Sequence, residues 1–322
     1  MKVLVLSRPL LDATADLVIT ELRRPRIAVH RLDPGEFPED LAMSAYLGPD
    51  RENWQGVWRG QHRDLRLDEI TAVYYRRPGP FRFHPDMGTE ATRWANDEAR
   101  AGFGGVLTSL RCRWVNHPHD NAMADVAPRA LATARRCGLR IPRTLITNDP
   151  AQAREFIRTA PHQVAAYKAL AAASPRSPDG RQMAVWTSRV RADDITEQVS
   201  RTAHQFQEWI DKVYEVRVTC VGRRVFAAEI HAGSEASRID FRRDYESLTY
   251  RICAVPQDIA NGLRRLMDAF RLRYLACDFL VNRDNDWFLV DINPNGQYGF
   301  VPALREPITH AIADELEGNT PV

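Results

Sequence analysis

Three polar side chains near the carboxyl terminus have the types and spacing of a metal site. The segment WFLVDINPNGQYGF is an apolar strand that ends on Asp291 and Asn293 and then breaks at Pro-Asn-Gly. Residues i and i+2 of a strand lie on one face, so both side chains point the same way. The preceding apolar strand, RYLACDFLV, carries Asp278. The polar turn over 282–286 predicts that the two strands pair antiparallel and bring Asp278 close to Asp291.

These three oxygen donors suit Mg²⁺. That ion usually takes one or two carboxylates and completes its shell with water and substrate phosphates. In the alternative interpretation, one aspartate caps the Pro-Asn-Gly turn and the other is solvated. The residues alone leave both interpretations open.

Two further segments have the chemistry to hold a nucleotide. Lys168 ends the apolar strand VAAYKAL and precedes a loop of small residues from Ala171 to Gly180. Such loops can cover phosphates, and a lysine beside one supplies a point charge. The segment FQEWI, Phe206–Ile210, could offer backbone groups to a base, and Glu215 could bind a ribose. A solvated edge lysine and an ordinary amphipathic strand are the alternatives.

The composition is that of an ordinary globular protein. A length of 322 residues predicts two or three subdomains, and 44% apolar with 27% charged residues is typical of a soluble chain. A net charge of +2 gives no global field that favours nucleic acid or a membrane. Neither a signal segment nor a span of roughly 18 apolar residues is found, so we expect a cytoplasmic protein. The five cysteines are scattered without CxxC spacing, which argues against disulfides and zinc.

The order of apolar segments predicts a mixed α/β fold. A strand at KVLVLS is followed by a helix at ADLVITELRR, and residues 89–110 predict a longer helix. Residues 120–138 predict a helix that Pro128 ends or kinks, with Asp120 as N-cap and Gly138 as its stop. DDITEQVSRTA predicts another helix and MAVWTSRV another strand. The segment VPQDIANGLRRLMDAFRL predicts an amphipathic helix, whose apolar face comprises Ile259, Leu263, Leu266, Met267 and Phe270.

Taken in order, these pieces resemble the ATP-grasp superfamily. The order is a lysine, a small-residue loop, a hinge, an E-x-R strand, an arginine-bearing loop, a long helix, an aspartate strand and D-x-N-P-N-G-Q. Within that superfamily the chain is similar to the graspetide (microviridin-type) synthetases, which make ester and amide crosslinks in ribosomal peptides. The segments YYRRPGPF, GLRIPRTLITNDP, QEWIDKVYEVRVTCVG and FLVDINPNGQY carry the resemblance over nearly the whole chain.

The resemblance implies an α/β (α+β) ATP-grasp fold with an N-terminal pre-ATP-grasp α/β domain. That domain would span 1–120. A central subdomain with the phosphate loop would span 121–205, and a C-terminal subdomain with the hinge and metal site would span 206–322.

The same resemblance assigns roles to individual residues. It places Lys168 on ATP phosphates and Glu215 on the ribose, and it directs Arg217 and Arg242 into an acyl-phosphate site. Arg76 and Arg77 would line the substrate face between the N-terminal domain and the rest. The implied adenine contacts are Gln207, Glu208, Trp209 and Ile210, and the implied Mg²⁺ ligands are Asp278, Asp291 and Asn293.

The implied function is an ATP-dependent ligase. It would activate Asp or Glu side chains of a ribosomal precursor peptide as acyl phosphates and join them to a hydroxyl or amine of the same peptide. ATP and Mg²⁺ would be required, the leader and core of the precursor would be the partner, and a leader groove is expected in the central domain. A homodimer is expected, and binding to nucleic acid or membrane is not.

Two positions depart from the family pattern. Ala127, in ADVAPR, stands where a second phosphate-binding lysine is expected, and Arg129 is a possible replacement. Asp291 stands where the family has a glutamate, and its shorter side chain makes a bridge between two ions harder to reach. Two alternatives follow: a degenerate ATP-grasp chain that binds peptide with little turnover, or a ligase that adds an amino acid to a peptide.

Overall fold

A computed structural model describes residues 1–8, 12–24, 27–170 and 186–319 of the chain. Within these ranges the strands are β1 (Lys2–Ser7), β2 (Ala28–Leu32), β3 (Leu41–Tyr46), β4 (Gln55–Gly60), β5 (Asp64–Arg66), β6 (Ala72–Arg77), β7 (Arg113–Val115), β8 (Thr144–Thr147), β9 (Ala165–Lys168), β10 (Ser188–Val190), β11 (His204–Glu208), β12 (Tyr214–Val221), β13 (Arg224–His231), β14 (Thr249–Ile252), β15 (Tyr274–Val281) and β16 (Trp287–Asn293). The α-helices are α1 (Ala13–Arg23), α2 (Thr89–Thr108), α3 (Pro118–Ala124), α4 (Ala127–Arg136), α5 (Pro150–Arg158), α6 (Glu235–Ile239), α7 (Gln257–Phe270) and α8 (Pro302–Glu317).

The amino-terminal part contains a parallel sheet in the order β2-β1-β6-β7. Both faces of β1 are buried. Val3 and Val5 pack with α1 and α8, whereas Leu4 and Leu6 pack with Trp58 and Phe103 on the other side. A continuous apolar run is what a parallel strand covered on both faces requires. A smaller antiparallel sheet, β3-β4-β5, contributes Trp58 to the second layer.

The remainder of the chain is built on two antiparallel sheets. The first has the order β10-β9-β11-β8, and α5 packs against it through Ala153 and Ile157. The second has the order β14-β13-β12-β15-β16. Alternate residues of β12, including Val216 and Val218, face α7. The intervening residues face the opposite side, where the polar side chains of the site lie.

Most of the expected elements are present, with three corrections. The helix expected over 120–138 is two helices, because Pro128 opens α4. His117 rather than Asp120 caps α3, and Asp120 instead accepts a hydrogen bond from Arg271 at 2.7 Å. The helix expected at DDITEQVSRTA is two short 3₁₀ turns, Ala192–Asp194 and Glu197–Arg201.

Other expectations agree with the structure. Gly138 has φ +81° just after α4, the left-handed conformation that glycine adopts most easily. All five apolar residues expected on the face of α7 are buried. Of the strand expected at MAVWTSRV, residues 188–190 form β10 and residues 183–185 lie outside the described ranges. In the described part of the chain, no helix has both the length and the hydropathy to cross a membrane.

Candidate active site

A cavity of about 520 Å³ lies between the two antiparallel sheets of the second half of the chain. Lys168 of β9 borders it on one side, and Asp278 of β15 on the other. Ten of the residues assigned from the sequence line it: Lys168, Gln207, Glu208, Trp209, Ile210, Glu215, Arg242, Asp278, Asp291 and Asn293. Four assigned residues are not in the lining: Arg76, Arg77, Arg129 and Arg217.

Asp278 and Asp291 are direct cross-strand partners in the antiparallel pair β15–β16. Directly opposed residues have side chains on one face, so the two carboxylates are neighbours. Asp278 is 7% exposed, whereas Asp291 is open to the cavity. Burial raises the pKa of Asp278 to about 6; Arg217 opposes this rise and Asp291 adds to it. An additional cation at this position would therefore favour the charged form of the Asp278 carboxylate.

Asn293 has a structural contact as well as a place in the cavity. Its Oδ1 accepts a hydrogen bond from the backbone N–H of Asn295 at 3.0 Å and so caps the Pro-Asn-Gly turn. The sequence left open that an aspartate caps this turn. In the structure the cap is Asn293 instead. A carbonyl oxygen has two lone pairs, so Oδ1 retains one for a second partner.

Lys168 reaches across the cavity to a bulge in β16. The pairing of β15 with β16 shifts register between Asp278 and Phe279, which leaves Val290 as the extra residue. The Nζ of Lys168 donates to the Val290 carbonyl at 3.2 Å. Burial lowers the pKa of Lys168, while Asp291 and Glu215 act against this shift. The small-residue loop expected after it, 171–180, lies outside the described residues.

The hinge segment, Gln207–Ile210, begins in the last two residues of β11 and continues past its end. Glu208 accepts from the backbone N–H of Arg143 at 3.4 Å, and the guanidinium of Arg189 lies 5.3 Å from the Trp209 ring. Glu215, at the start of β12, accepts a hydrogen bond from Nζ of Lys212 at 2.6 Å. Burial raises the pKa of Glu215, and Lys212 opposes that rise.

Two arginines are fixed by aspartates at this site. Nη1 of Arg217 donates to Oδ1 of Asp278 at 2.7 Å, and Nη2 donates to the Gln297 carbonyl at 3.2 Å. Arg242 makes a two-bond pair with Asp240, Nε to Oδ1 at 2.8 Å and Nη2 to Oδ2 at 2.6 Å. Hydrogen bonding to Asp240 raises the pKa of Arg242. Arg217 thus holds a carboxylate in place, whereas Arg242 borders the cavity itself.

Arg76 and Arg77 lie outside the cavity and bind the turn that follows β16. Arg76 is 1% exposed; its Nε lies 2.9 Å from Asp12, and Nη1 donates to the Asn295 carbonyl at 2.6 Å. Arg77 donates to the same carbonyl at 3.4 Å. The Arg76 guanidinium is buried in these contacts and holds the turn, and the substrate role expected of the two arginines stays a prediction. Arg129 lies 5.9 Å from the Phe270 ring and outside the cavity lining, so its part in nucleotide binding stays a prediction.

Several residues of the site were not anticipated from the sequence. Lys212 and Asp125 line the cavity, and partial burial together with Asp291 raises the pKa of Asp125. Asn116 is buried behind the site, where its Nδ2 donates to the Pro294 carbonyl at 3.0 Å and to the Tyr274 carbonyl at 2.8 Å. Only Lys212 had a sequence signal, because it is one of three lysines in the chain and lies two residues after FQEWI.

The described lining is acidic although the chain is weakly basic. It has six carboxylates against three cations, an excess of three formal negative charges: Asp125, Glu208, Glu215, Asp240, Asp278 and Asp291 against Lys168, Lys212 and Arg242. A triphosphate would be repelled by such a surface unless divalent cations entered with it. The charge balance therefore fits a metal–nucleotide complex better than a free nucleotide.

The donor set fits Mg²⁺ as a shared ligand. Across the described ranges, no three His, Cys, Asp or Glu side chains converge as a protein-only metal site requires. Two neighbouring carboxylates and one amide oxygen nevertheless border the cavity. Magnesium accepts such a partial set because phosphates and water supply the rest. Asp278, Asp291 and Asn293 are thus suited to an ion that arrives with a nucleotide.

Comparison with known proteins agrees with the fold. Residues 2–122 match the family described as the MvdD pre-ATP grasp domain. A Chryseobacterium gregarium RiPP-associated ATP-grasp ligase, solved in complex with ADP and a leader and core peptide, superposes with a TM-score of 0.90 at 26% identity, over 99% of this chain and 97% of that one. The Microcystis aeruginosa macrocyclase MdnC, bound with precursor peptide MdnA, gives 0.86 at 26% identity, over 99% and 100%.

A third structure, the macrocyclase MdnB from the same organism, gives a TM-score of 0.80 at 25% identity, over 98% of both chains. A search of curated protein sequences gives no match. The fold and the site together define an ATP-grasp ligase. Within that class, the chain is similar over nearly its full length to RiPP-associated ligases and macrocyclases.

Proposed function

We propose that this protein is an ATP-dependent ligase that activates Asp or Glu side chains of a ribosomal precursor peptide and joins them to a hydroxyl or amine of the same peptide. One observation carries the proposal: Lys168, the hinge, Glu215 and the Asp278–Asp291 pair all border a single acidic cavity. The same arrangement of cation, hinge and oxygen donors is needed to hold a nucleotide by its phosphates, base and ribose.

The nucleotide would lie between the two antiparallel sheets. Lys168 would exchange its bond to the Val290 carbonyl for a phosphate oxygen. The hinge segment Gln207–Ile210 would border the adenine, and Glu215, oriented by Lys212, would accept from the ribose hydroxyls. The family pattern has a second lysine where this chain has Ala127. Lys212 would supply a second cation at the cavity in its absence.

Mg²⁺ would be held by Asp278, Asp291 and Asn293 together with phosphate oxygens. When bound, it would neutralise the phosphates and polarise the γ-phosphoryl group. Arg217 would keep Asp278 ionised and correctly placed for that task, because its guanidinium favours the charged carboxylate.

The chemistry proceeds in two steps. An oxygen of the peptide carboxylate attacks the γ-phosphorus, the bond from that phosphorus to the β,γ-bridging oxygen breaks, and ADP and an acyl phosphate result. The peptide hydroxyl or amine then attacks the acyl carbon, loses its proton and releases inorganic phosphate. Arg242 borders the cavity in a plane fixed by Asp240 and would bind the acyl phosphate, since a guanidinium matches phosphate oxygens well.

The peptide partner is proposed from the related structures. The Chryseobacterium ligase is described with leader and core peptide, and MdnC with the precursor MdnA. By analogy with these two complexes, this chain would bind a precursor that has a leader and a core. The core would contain Asp or Glu and a nucleophilic side chain.

The direct test is to incubate the protein with Mg²⁺, ATP and a candidate precursor, and to measure peptide mass and ADP. The expected product is lighter by one water for each crosslink, with one ADP formed per bond. A gain of one amino acid residue in mass would instead identify a ligase that extends peptides.

A second candidate function is a peptide-binding partner with little turnover. The observation that favours it is Ala127 in the cavity lining beside the acidic Asp125, where the family pattern places a lysine. Tight binding of the precursor without ADP release, under conditions in which Mg²⁺ and ATP are saturating, would support this candidate and contradict the ligase.

A further inference from the structure

Two glutamines of β11 place unpaired oxygens at the cavity. Gln205 and Gln207 alternate with Phe206 along the strand, so both side chains lie on its cavity face. They are 4% and 1% exposed. The Oε1 atom of each is buried and has no hydrogen-bond partner among the described residues.

The orientation of Gln207 is fixed by a short chain of hydrogen bonds. Its Nε2 donates to Oγ1 of Thr144 at 3.0 Å, and that hydroxyl donates to the Pro142 carbonyl at 3.0 Å. Rotating the carboxamide by half a turn would break this chain, so the oxygen is the end left without a partner. Buried acceptors are nearly always satisfied in folded proteins, and an unpaired one is costly. Two such atoms in one cavity indicate a ligand that supplies donors.

We propose that Gln205, together with Gln207, selects a 6-aminopurine: the two carboxamide oxygens accept hydrogen bonds from the exocyclic amino group of adenine. This inference rests on the proposed ATP-dependent function and adds a base-reading residue, Gln205, to it. Both side chains lie on β11, the strand in which the hinge segment begins. Guanine and hypoxanthine present a carbonyl oxygen at the same ring position. That oxygen would face the glutamine oxygens and leave all of them without donors.

The test is isothermal titration of the full-length protein, in Mg²⁺, with ADP, IDP and the diphosphate of unsubstituted purine riboside. The last ligand lacks the amino group and carries no oxygen in its place. We expect ADP to bind about 10- to 100-fold more tightly than either analogue. Gln205→Met should reduce this ratio about tenfold, because ADP loses an acceptor while the purine analogue binds at least as tightly as it does to the wild type. Gln207→Met should also reduce the ratio.

Undiminished binding of the purine analogue shows that the variant is folded, whereas a general packing defect would weaken binding of all three ligands. Gln198→Met, at an exposed glutamine, is the matched control and should keep the wild-type ratio. Equal affinity for all three ligands in the wild type, or an unchanged ratio in Gln205→Met, would overturn the base-reading inference while the ligase proposal stands. Failure of all three nucleotides to bind would overturn both.

Discussion

Arg217 and Asp278 are direct partners across β12 and β15, and their side chains form a buried ion pair at 2.7 Å. The next residue in the same row is Asp291 on β16. One guanidinium therefore lies at the end of a row of two carboxylates on one face of the sheet. Arg217 positions Asp278, the more buried of the two carboxylates, and limits the rise in its pKa.

We expect Arg217→Met to destabilise the protein by about 3–5 kcal/mol, because it leaves Asp278 buried without a counter-ion. Asp278→Asn in the same background should recover part of that loss, since the uncompensated charge is then removed. Urea unfolding of the two single variants and the double variant measures the coupling. Additive losses would show that the pair does not interact in the way its geometry indicates.

Lys168→Ala and Asp278→Ala should each abolish crosslinking while precursor binding survives. Each removes a group that borders the cavity and would face the phosphates or the metal. The measurements are product mass and peptide affinity by fluorescence anisotropy. Lys2→Ala is the control and should remain active. It removes an ion pair with Glu69, and neither residue lines the cavity. Normal product formation in both site variants would refute the assignment.

Asp291→Glu should strengthen Mg²⁺ binding rather than weaken it. The longer side chain reaches further into the cavity and restores the length that the family pattern has at this position. We expect the Mg²⁺ concentration for half-maximal activity to fall, by up to about tenfold. Asp284→Glu, in the turn between β15 and β16, should have no effect. An increase in the Mg²⁺ requirement would mean that the shorter carboxylate is fitted to its surroundings.

Asp125→Asn should increase affinity for Mg·ADP about two- to tenfold, because it removes one of the six carboxylates of the lining near Asp291. The gain should shrink as salt concentration rises. Calorimetry at two ionic strengths provides the measurement, and Asp97→Asn on the exposed part of α2 provides the control. Weaker nucleotide binding in Asp125→Asn would instead indicate that the Asp125 carboxylate contacts Mg·ADP directly.

The cysteines should be unreactive in the folded protein. Burial raises the pKa of Cys112 and Cys220 to about 12 and that of Cys253 to about 11, so these thiols stay protonated at neutral and mildly alkaline pH. Since the thiolate is the reactive form, a chromogenic disulfide reagent should react slowly at pH 8. In guanidinium chloride all five should react quickly, as free thiols do. Rapid reaction before unfolding would show a more open structure.

Strand periodicity was sufficient to place the oxygen donors. Asp291 and Asn293 share a face because they are two residues apart, and the short turn before β16 brings Asp278 opposite Asp291. The apolar stripe of α7 and the break at Pro128 were likewise readable, because both follow from local rules of helix geometry. The division into 1–120, 121–205 and 206–322 and the functional roles of the individual residues stay predictions.

The tertiary structure alone decided which partners the charged groups have. The bulge at Val290 gives Lys168 its acceptor, Asp12 and the Asn295 turn bury Arg76, and Lys212 pairs with Glu215. The helix α8, with its mixed apolar pattern around Pro307, was not anticipated at all. The physical reason is that periodicity fixes the face on which a side chain lies. Its burial, its counter-ion and its free hydrogen-bonding atoms depend on segments far away in the chain, which meet only in the folded protein.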